Sequence, residues 1–164
     1  MKYNPDIHHR RSIRLKGYDY SQTGLYFITV CTQDRLCLFG KIEHGEMLTN
    51  DAGKMIKIVW EEISSYYPSF KVHEFVVMPN HFHGIIQIKN ESTMSLPDIV
   101  HRFKTLTTKR YTDGVKNNNW SRFKKKLWQR NYYEHIIRNE ISYHQILEYV
   151  QTNPLKWQED TYYA

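Results

Sequence analysis

Cysteine is scarce in this 164-residue chain: Cys31 and Cys37 are the two present, with five residues between them. One such pair builds neither a disulfide framework nor a zinc ribbon, and it fits a reducing compartment, so a cytoplasmic location is expected. No apolar run approaches the ~20 residues that a membrane-spanning helix needs. The opening stretch MKYNPDIHHRRSIRLKGYDYS also lacks the apolar core of a signal peptide, and no membrane partner is expected. A Gly-x-x-x-x-Gly-Lys run is missing too, which removes the usual phosphate-cradling loop of nucleotide hydrolysis. No internal repeat is present, and the nearest thing to low complexity is three consecutive asparagines, 117–119.

What the chain does hold is apolar and aromatic material, 40% hydrophobic and 15% aromatic, enough for one globular domain with a core of its own. Lysine and arginine number 23 against 17 acidic residues, a formal charge of +6. That balance favours a polyanionic partner, with a plain solvated basic surface as the alternative.

Residues 1–22 are polar and basic, with Arg10, Arg11, Arg14 and Lys16 close together, and are expected to form an arm ahead of a single domain over 23–164. GLYFITVCTQ reads as a core strand, and CLFGKIEHGEMLTN as a hairpin turning back beside it. Met55, Ile56, Val59 and Ile63 recur at helical spacing before Pro68. VHEFVVM and FHGIIQI flank the turn-prone Pro79-Asn80 and predict a second hairpin. A helix follows over SLPDIVHRFKTLTTKRY, with Ser95 as its cap, Pro97 in its first turn and Ile99, Phe103 and Leu106 on its apolar stripe. The segment TDGVKNNN reads as a polar linker, YYEHII as a last strand and EISYHQILEYVQTNPLKW as a closing helix. Interleaved hairpins and helices predict an α+β fold, an antiparallel sheet with helices packed on one face.

The chemistry concentrates in VVMPNHFHGIIQI. Alternate side chains of a strand share a face, so His81 and His83 project together while Phe82 points the opposite way into the core. Two parallel imidazoles suit one metal ion, although a bare His-x-His is also compatible with two half-exposed histidines on a solvated sheet. Tyr149 and Asn153 lie four apart in the closing helix and therefore share a face. Asn153 precedes Pro154, a position biased away from helical geometry, so a helix-capping role stands beside any role as a ligand.

VVMPNHFHGII resembles the His-hydrophobic-His motif of the HUH single-tyrosine transposases, the insertion-sequence 200-like group and its REP-associated relatives. RRSIRLKGYDYSQTGLYFITVCTQDR, LWQRNYYEHIIRNE and EYVQTNPLKW are similar to that family in the same order, so the resemblance covers most of the chain. It implies a ferredoxin-like sheet, Tyr149 as nucleophile, and His81, His83 and Asn153 as ligands to a divalent metal, Mg or Mn. It further implies cleavage and rejoining of single-stranded or hairpin DNA through a 5′-phosphotyrosine, often in a homodimer. His135 and Arg138 fall in a similar segment and are candidates to line the site.

Contacts to the DNA backbone are expected from Arg10, Arg11, Arg14, Lys104, Arg122, Lys124, Lys125 and Lys126, with Trp120, Phe123 and Trp128 as candidates to stack on bases. Three alternatives stay open. One is a non-catalytic nucleic-acid-binding module on the same kind of sheet. Another is a two-histidine RNA phosphoesterase, which needs two separated His-x-Ser/Thr repeats where this chain has one His-x-His. The last is a domesticated relative that processes repeat-associated hairpins without moving its own element.

Overall fold

The structure, a computed structural model, describes residues 24–89 and 92–164. The basic arm with Arg10, Arg11 and Arg14 lies outside the described residues. In chain order the elements are β1 (Gly24–Cys31), a 3-10 turn (Gln33–Arg35), β2 (Gly40–Glu43), β3 (Glu46–Thr49), α1 (Asp51–Tyr66), β4 (Phe70–Met78) and β5 (His81–Ile88). They continue with α2 (Leu96–Asn118), β6 (Tyr133–Ile137), α3 (Glu140–Thr152) and a closing 3-10 turn (Pro154–Glu159).

Four strands form one antiparallel sheet in the order β4-β5-β1-β6. Without the β2–β3 hairpin and α3, the remaining βαββαβ series is the ferredoxin-like arrangement, an α+β fold with helices packed against an antiparallel sheet.

Period-2 alternation sorts the sheet into two faces. Tyr26, Ile28 and Val30 of β1 and Phe82, Ile86 and Ile88 of β5 bury against Val59, Trp60 and Ile63 of α1 and Val100 and Phe103 of α2. Gly84 permits this close approach, because a Cβ there would stand 2.7 Å from the Trp60 ring. Truncating a core aromatic such as Phe82 costs about 3–5 kcal/mol. A one-residue slip of β5 would turn that ring out of the α1–α2 core, so the same packing that buries Phe82 aims both histidines at the opposite face. There Phe27, Ile85, Tyr133 and Ile137 are covered by Ile146 and Val150 of α3. The two long helices thus occupy one face as expected, and the shorter closing helix crosses the other.

Two local expectations are corrected. The CLFGKIEHGEMLTN hairpin forms its own two-stranded sheet and does not run beside β1, whose two edges are already taken by β5 and β6. The presumed linker after Tyr111 is helical through Asn118. Gly114 lets the Trp120 ring fold back onto the helix, since a Cβ there would stand 2.1 Å from it, and Trp120 N–H donates to the Gly114 carbonyl at 3.2 Å. Asn119 then ends the helix in the left-handed region at φ 59°. At the other end Ser95 and Asp98 form a reciprocal capping box, as the sequence predicts for Ser95.

Candidate metal and tyrosine site

His81 and His83 are 0% and 1% exposed, which removes the reading of two half-solvated histidines. Their rings lie 4.6 Å apart between centroids. Each Nδ1 is engaged behind the site: His81 with Asn80 Oδ1 at 2.8 Å, His83 with Thr29 Oγ1 at 2.7 Å. Asn80 is itself fixed, its Nδ2 donating to the carbonyls of Tyr162 at 2.7 Å and Arg35 at 3.3 Å. Engaging Nδ1 leaves Nε2 as the outward donor, the usual way a protein orients histidine toward a metal. Both Nε2 atoms are buried without a hydrogen-bond partner, and so is Asn153 Oδ1.

Burying an unsatisfied polar atom costs roughly 1–3 kcal/mol, and two such imidazole nitrogens on adjacent rings, with the Asn153 side chain against His81, are not expected of an ordinary core. Two imidazole nitrogens and an amide oxygen are all neutral lone-pair donors, which fit a divalent cation. Asn153 reaches this place because the backbone stays right-handed at φ −57°, ψ −46°, running from α3 straight into the closing 3-10 turn. Pro154 sits at the first position of that turn, where its missing N–H costs nothing; Asn153 keeps helical dihedrals before it and takes the expected capping position, as the C-cap of α3.

Tyr149 stands on the same helix face. Its ring lies 5.3 Å from His83 and 6.0 Å edge-on to Phe27, within one chain. Burial, then the nearby charge of Asp160, push its hydroxyl above the ordinary ~10, with the Asn153 side chain pulling the other way. Ionisation at neutral pH therefore needs a positive charge beside it. Of the sequence-predicted neighbours, His135 stands opposite Phe27 on β6 and Arg138 lies exposed beyond the strand end.

Asp160 and Tyr162 had no signal in the sequence, and neither did the positioning by Asn80 and Thr29. After the 3-10 turn the chain folds back, bringing Asp160 Oδ2 within 3.7 Å of His81 Nε2 and the Tyr162 ring within 4.7 Å of His81. His81, His83 and Asp160 are grouped closely enough to share an ion, their donor atoms all within 4.8 Å of one another.

The buried imidazoles also tie stability to pH. Burial pushes His81 down to about 3, partly opposed by Asn153; burial and the neighbouring His81 hold His83 well below its usual range. In the unfolded chain both titrate near ~6.5. Between about 6.5 and 3 the unfolded state therefore binds more protons, and the metal-free protein should lose stability as pH falls through that window. Urea midpoints measured from pH 7.5 to 4.5 are expected to fall more steeply for the wild type than for His83→Gln, by up to about one proton's slope. Identical slopes would show that His83 is not held neutral.

The basic residues separate by environment. Arg122, Lys124, Lys125 and Lys126 are exposed on the segment between α2 and β6. Lys104 instead directs Nζ at the carbonyls of Gln129, Arg130 and Asn131 at 2.9, 3.1 and 3.4 Å. Its place is a clasp that ties the segment before β6 to α2. Lys104→Met should lower stability by about 2 kcal/mol, read from thermal or urea melts, with a smaller effect on DNA affinity than Lys125→Met. Of the three aromatics offered for base stacking, Trp128 is buried and its Nε1 donates to Thr107 Oγ1 at 2.9 Å, while Trp120 and Phe123 are half-buried, 5.3 and 5.6 Å from the Tyr111 ring. No helix among the described residues is long and apolar enough to cross a membrane.

Against known proteins, a family model described as "Transposase IS200 like" matches residues 36–153. An uncharacterized protein of Haemophilus influenzae is 43% identical over 99% of this chain and 98% of its own length. The REP-associated tyrosine transposase of Escherichia coli K12 is 26% identical over 84% of this chain and 70% of that protein. Among solved structures, a REP-associated tyrosine transposase bound to a REP hairpin superposes with a TM-score of 0.61 at 22% identity, over 88% of this chain and 72% of that one.

Proposed function

The chain belongs to the IS200-like transposase family, and on that premise we propose that it cleaves and rejoins single-stranded DNA, hairpin-bearing strands included, using Tyr149 as nucleophile. The observation that carries this reading is the convergence of three buried, unpartnered donor atoms, His81 Nε2, His83 Nε2 and Asn153 Oδ1, beside the Tyr149 ring. A divalent cation bound there, Mg or Mn, would supply the positive charge that favours the phenolate and draws electron density from the scissile phosphate.

The chain's own part is positioning. Burial keeps the imidazoles neutral, and Asn80 and Thr29 aim them. Asn153, one turn beyond the nucleophile, keeps its amide beside the hydroxyl. Tyr149 Oη forms a bond to phosphorus as the bond from phosphorus to the 3′-oxygen breaks; the tyrosine proton is lost and the departing oxygen gains one. The product is a 5′-phosphotyrosine and a free 3′-hydroxyl, and attack by another 3′-hydroxyl reverses the step. The phosphodiester energy is kept in the covalent link, consistent with a chain that has no nucleotide-binding loop. Tyrosine and histidines stand beside one another within one chain in this geometry, which supports a tyrosine acting in cis.

The binding-module alternative is disfavoured by α3, which covers the sheet face that such a module would present to bases. An end-labelled single strand tests the reading. With Mn or Mg, one product should carry a 3′-end that a polymerase extends, and the other a 5′-end blocked by protein; a chelator should prevent both. Products with free ends on both sides would indicate hydrolysis and overturn the proposal.

A further inference from the structure

Two imidazoles and an amide bring no negative charge to a buried divalent ion, and a cation held by neutral groups alone in a dry site is poorly compensated. Asp160 is the acidic member of the one group of three potential metal-binding side chains among the described residues. Its side chain is 4% exposed, and Oδ2 lies 3.7 Å from His81 Nε2. That separation is too long for a hydrogen bond. It does suit two ligands of one ion, because donors each ~2.0–2.2 Å from a metal stand roughly 3–4 Å apart.

The orientation is built rather than incidental. Asp160 Oδ1 accepts from Tyr162 N–H at 2.8 Å, the Tyr162 carbonyl accepts from Asn80 Nδ2 at 2.7 Å, and Asn80 Oδ1 meets His81 Nδ1 at 2.8 Å. The circuit starts at one carboxylate oxygen and ends on the far side of the imidazole that the other oxygen faces. One asparagine thereby fixes both the histidine and the backbone that carries the acid. Arg35 adds a tie to the same segment, donating to the Thr161 carbonyl at 3.3 Å.

We propose that Asp160 is a fourth protein ligand of this site, supplying the one carboxylate that lets the chain hold its divalent ion before DNA arrives. The proposal rests on the metal-site reading given above. It is tested on the full chain, without DNA, by calorimetric titration with MnCl2 of the wild type, Asp160→Asn and His81→Ala. Asp160→Asn is nearly isosteric and keeps an oxygen for Tyr162 N–H. It should weaken manganese binding by about ten- to a hundred-fold, and His81→Ala should abolish it. Wild-type affinity in Asp160→Asn together with loss in His81→Ala would overturn the role of Asp160 and leave the site standing. Undiminished binding in both would remove the site itself.

A second measurement needs no substitution. In wild-type protein with carboxyl-13C aspartate, one equivalent of Zn should shift an aspartate carboxylate stretch in the infrared difference spectrum. A spectrum without that shift at a stoichiometry where the histidines bind would contradict the assignment.

Discussion

Replacing Tyr149 with phenylalanine is expected to abolish covalent attachment to DNA, with cleavage falling at least about a thousand-fold, while affinity for the same strand changes by less than about three-fold. The ring is held edge-on to Phe27 and against His83, contacts that phenylalanine keeps. The hydroxyl alone is removed, and the attacking oxygen with it. Electrophoresis under denaturing conditions reads the adduct, and fluorescence anisotropy reads binding. Tyr133, Tyr143 and Tyr162 are the informative controls, because all lie on the same side of the sheet or over it. Their phenylalanine variants should keep the adduct. Cleavage at the wild-type rate in Tyr149→Phe would transfer the nucleophile to one of them.

The second large effect concerns the histidines. His81→Ala and His83→Ala should each lower manganese affinity more than about a hundred-fold and bring cleavage to background at any practical metal concentration. Each substitution removes one of the outward Nε2 donors and leaves its Nδ1 partner, Asn80 or Thr29, without its ring. His73→Ala is the matched control. His73 pairs with Gln87 at 3.1 Å and contacts Tyr143, away from the grouped donors, so metal affinity should be unchanged. Titration calorimetry and a strand-cleavage assay on the same preparations separate binding from chemistry. Full cleavage in His83→Ala would mean that the paired imidazoles do not hold the ion.

The part of this site that was legible from sequence is the part that follows from local periodicity. Residues two apart on a strand share a face whatever surrounds them, so His81 and His83 had to project together once Phe82 was buried. Residues four apart on a helix do the same for Tyr149 and Asn153. The illegible part depends on long-range closure. Asp160 reaches His81 because Asn80 grips a carbonyl 82 residues later and Arg35 one 126 residues later, contacts with no short-range pattern. Asn80 itself read as a turn residue, and its hold on His81 emerges only when the tail is in place.

Tertiary context also decided the remaining differences. The β2–β3 hairpin had the right turn but no free edge on the main sheet. Gly114 and Asn119 looked like loop residues, yet Gly114 seats Trp120 and Asn119 supplies a helix end. The place of Lys104 in the sequence suggests a phosphate contact, while its side chain in the fold faces three carbonyl oxygens.

The central claim is that Tyr149, set beside two oriented imidazoles, forms a covalent bond to DNA. The most direct measurement incubates the purified chain with single-stranded DNA from the repeats flanking its gene and Mn, digests the denaturant-resistant product, and locates the nucleotide by mass spectrometry. The account predicts one modified peptide, carrying a 5′-phosphate ester on Tyr149. A modified peptide bearing any other residue, or DNA that binds with every metal tried and never becomes attached, would contradict it.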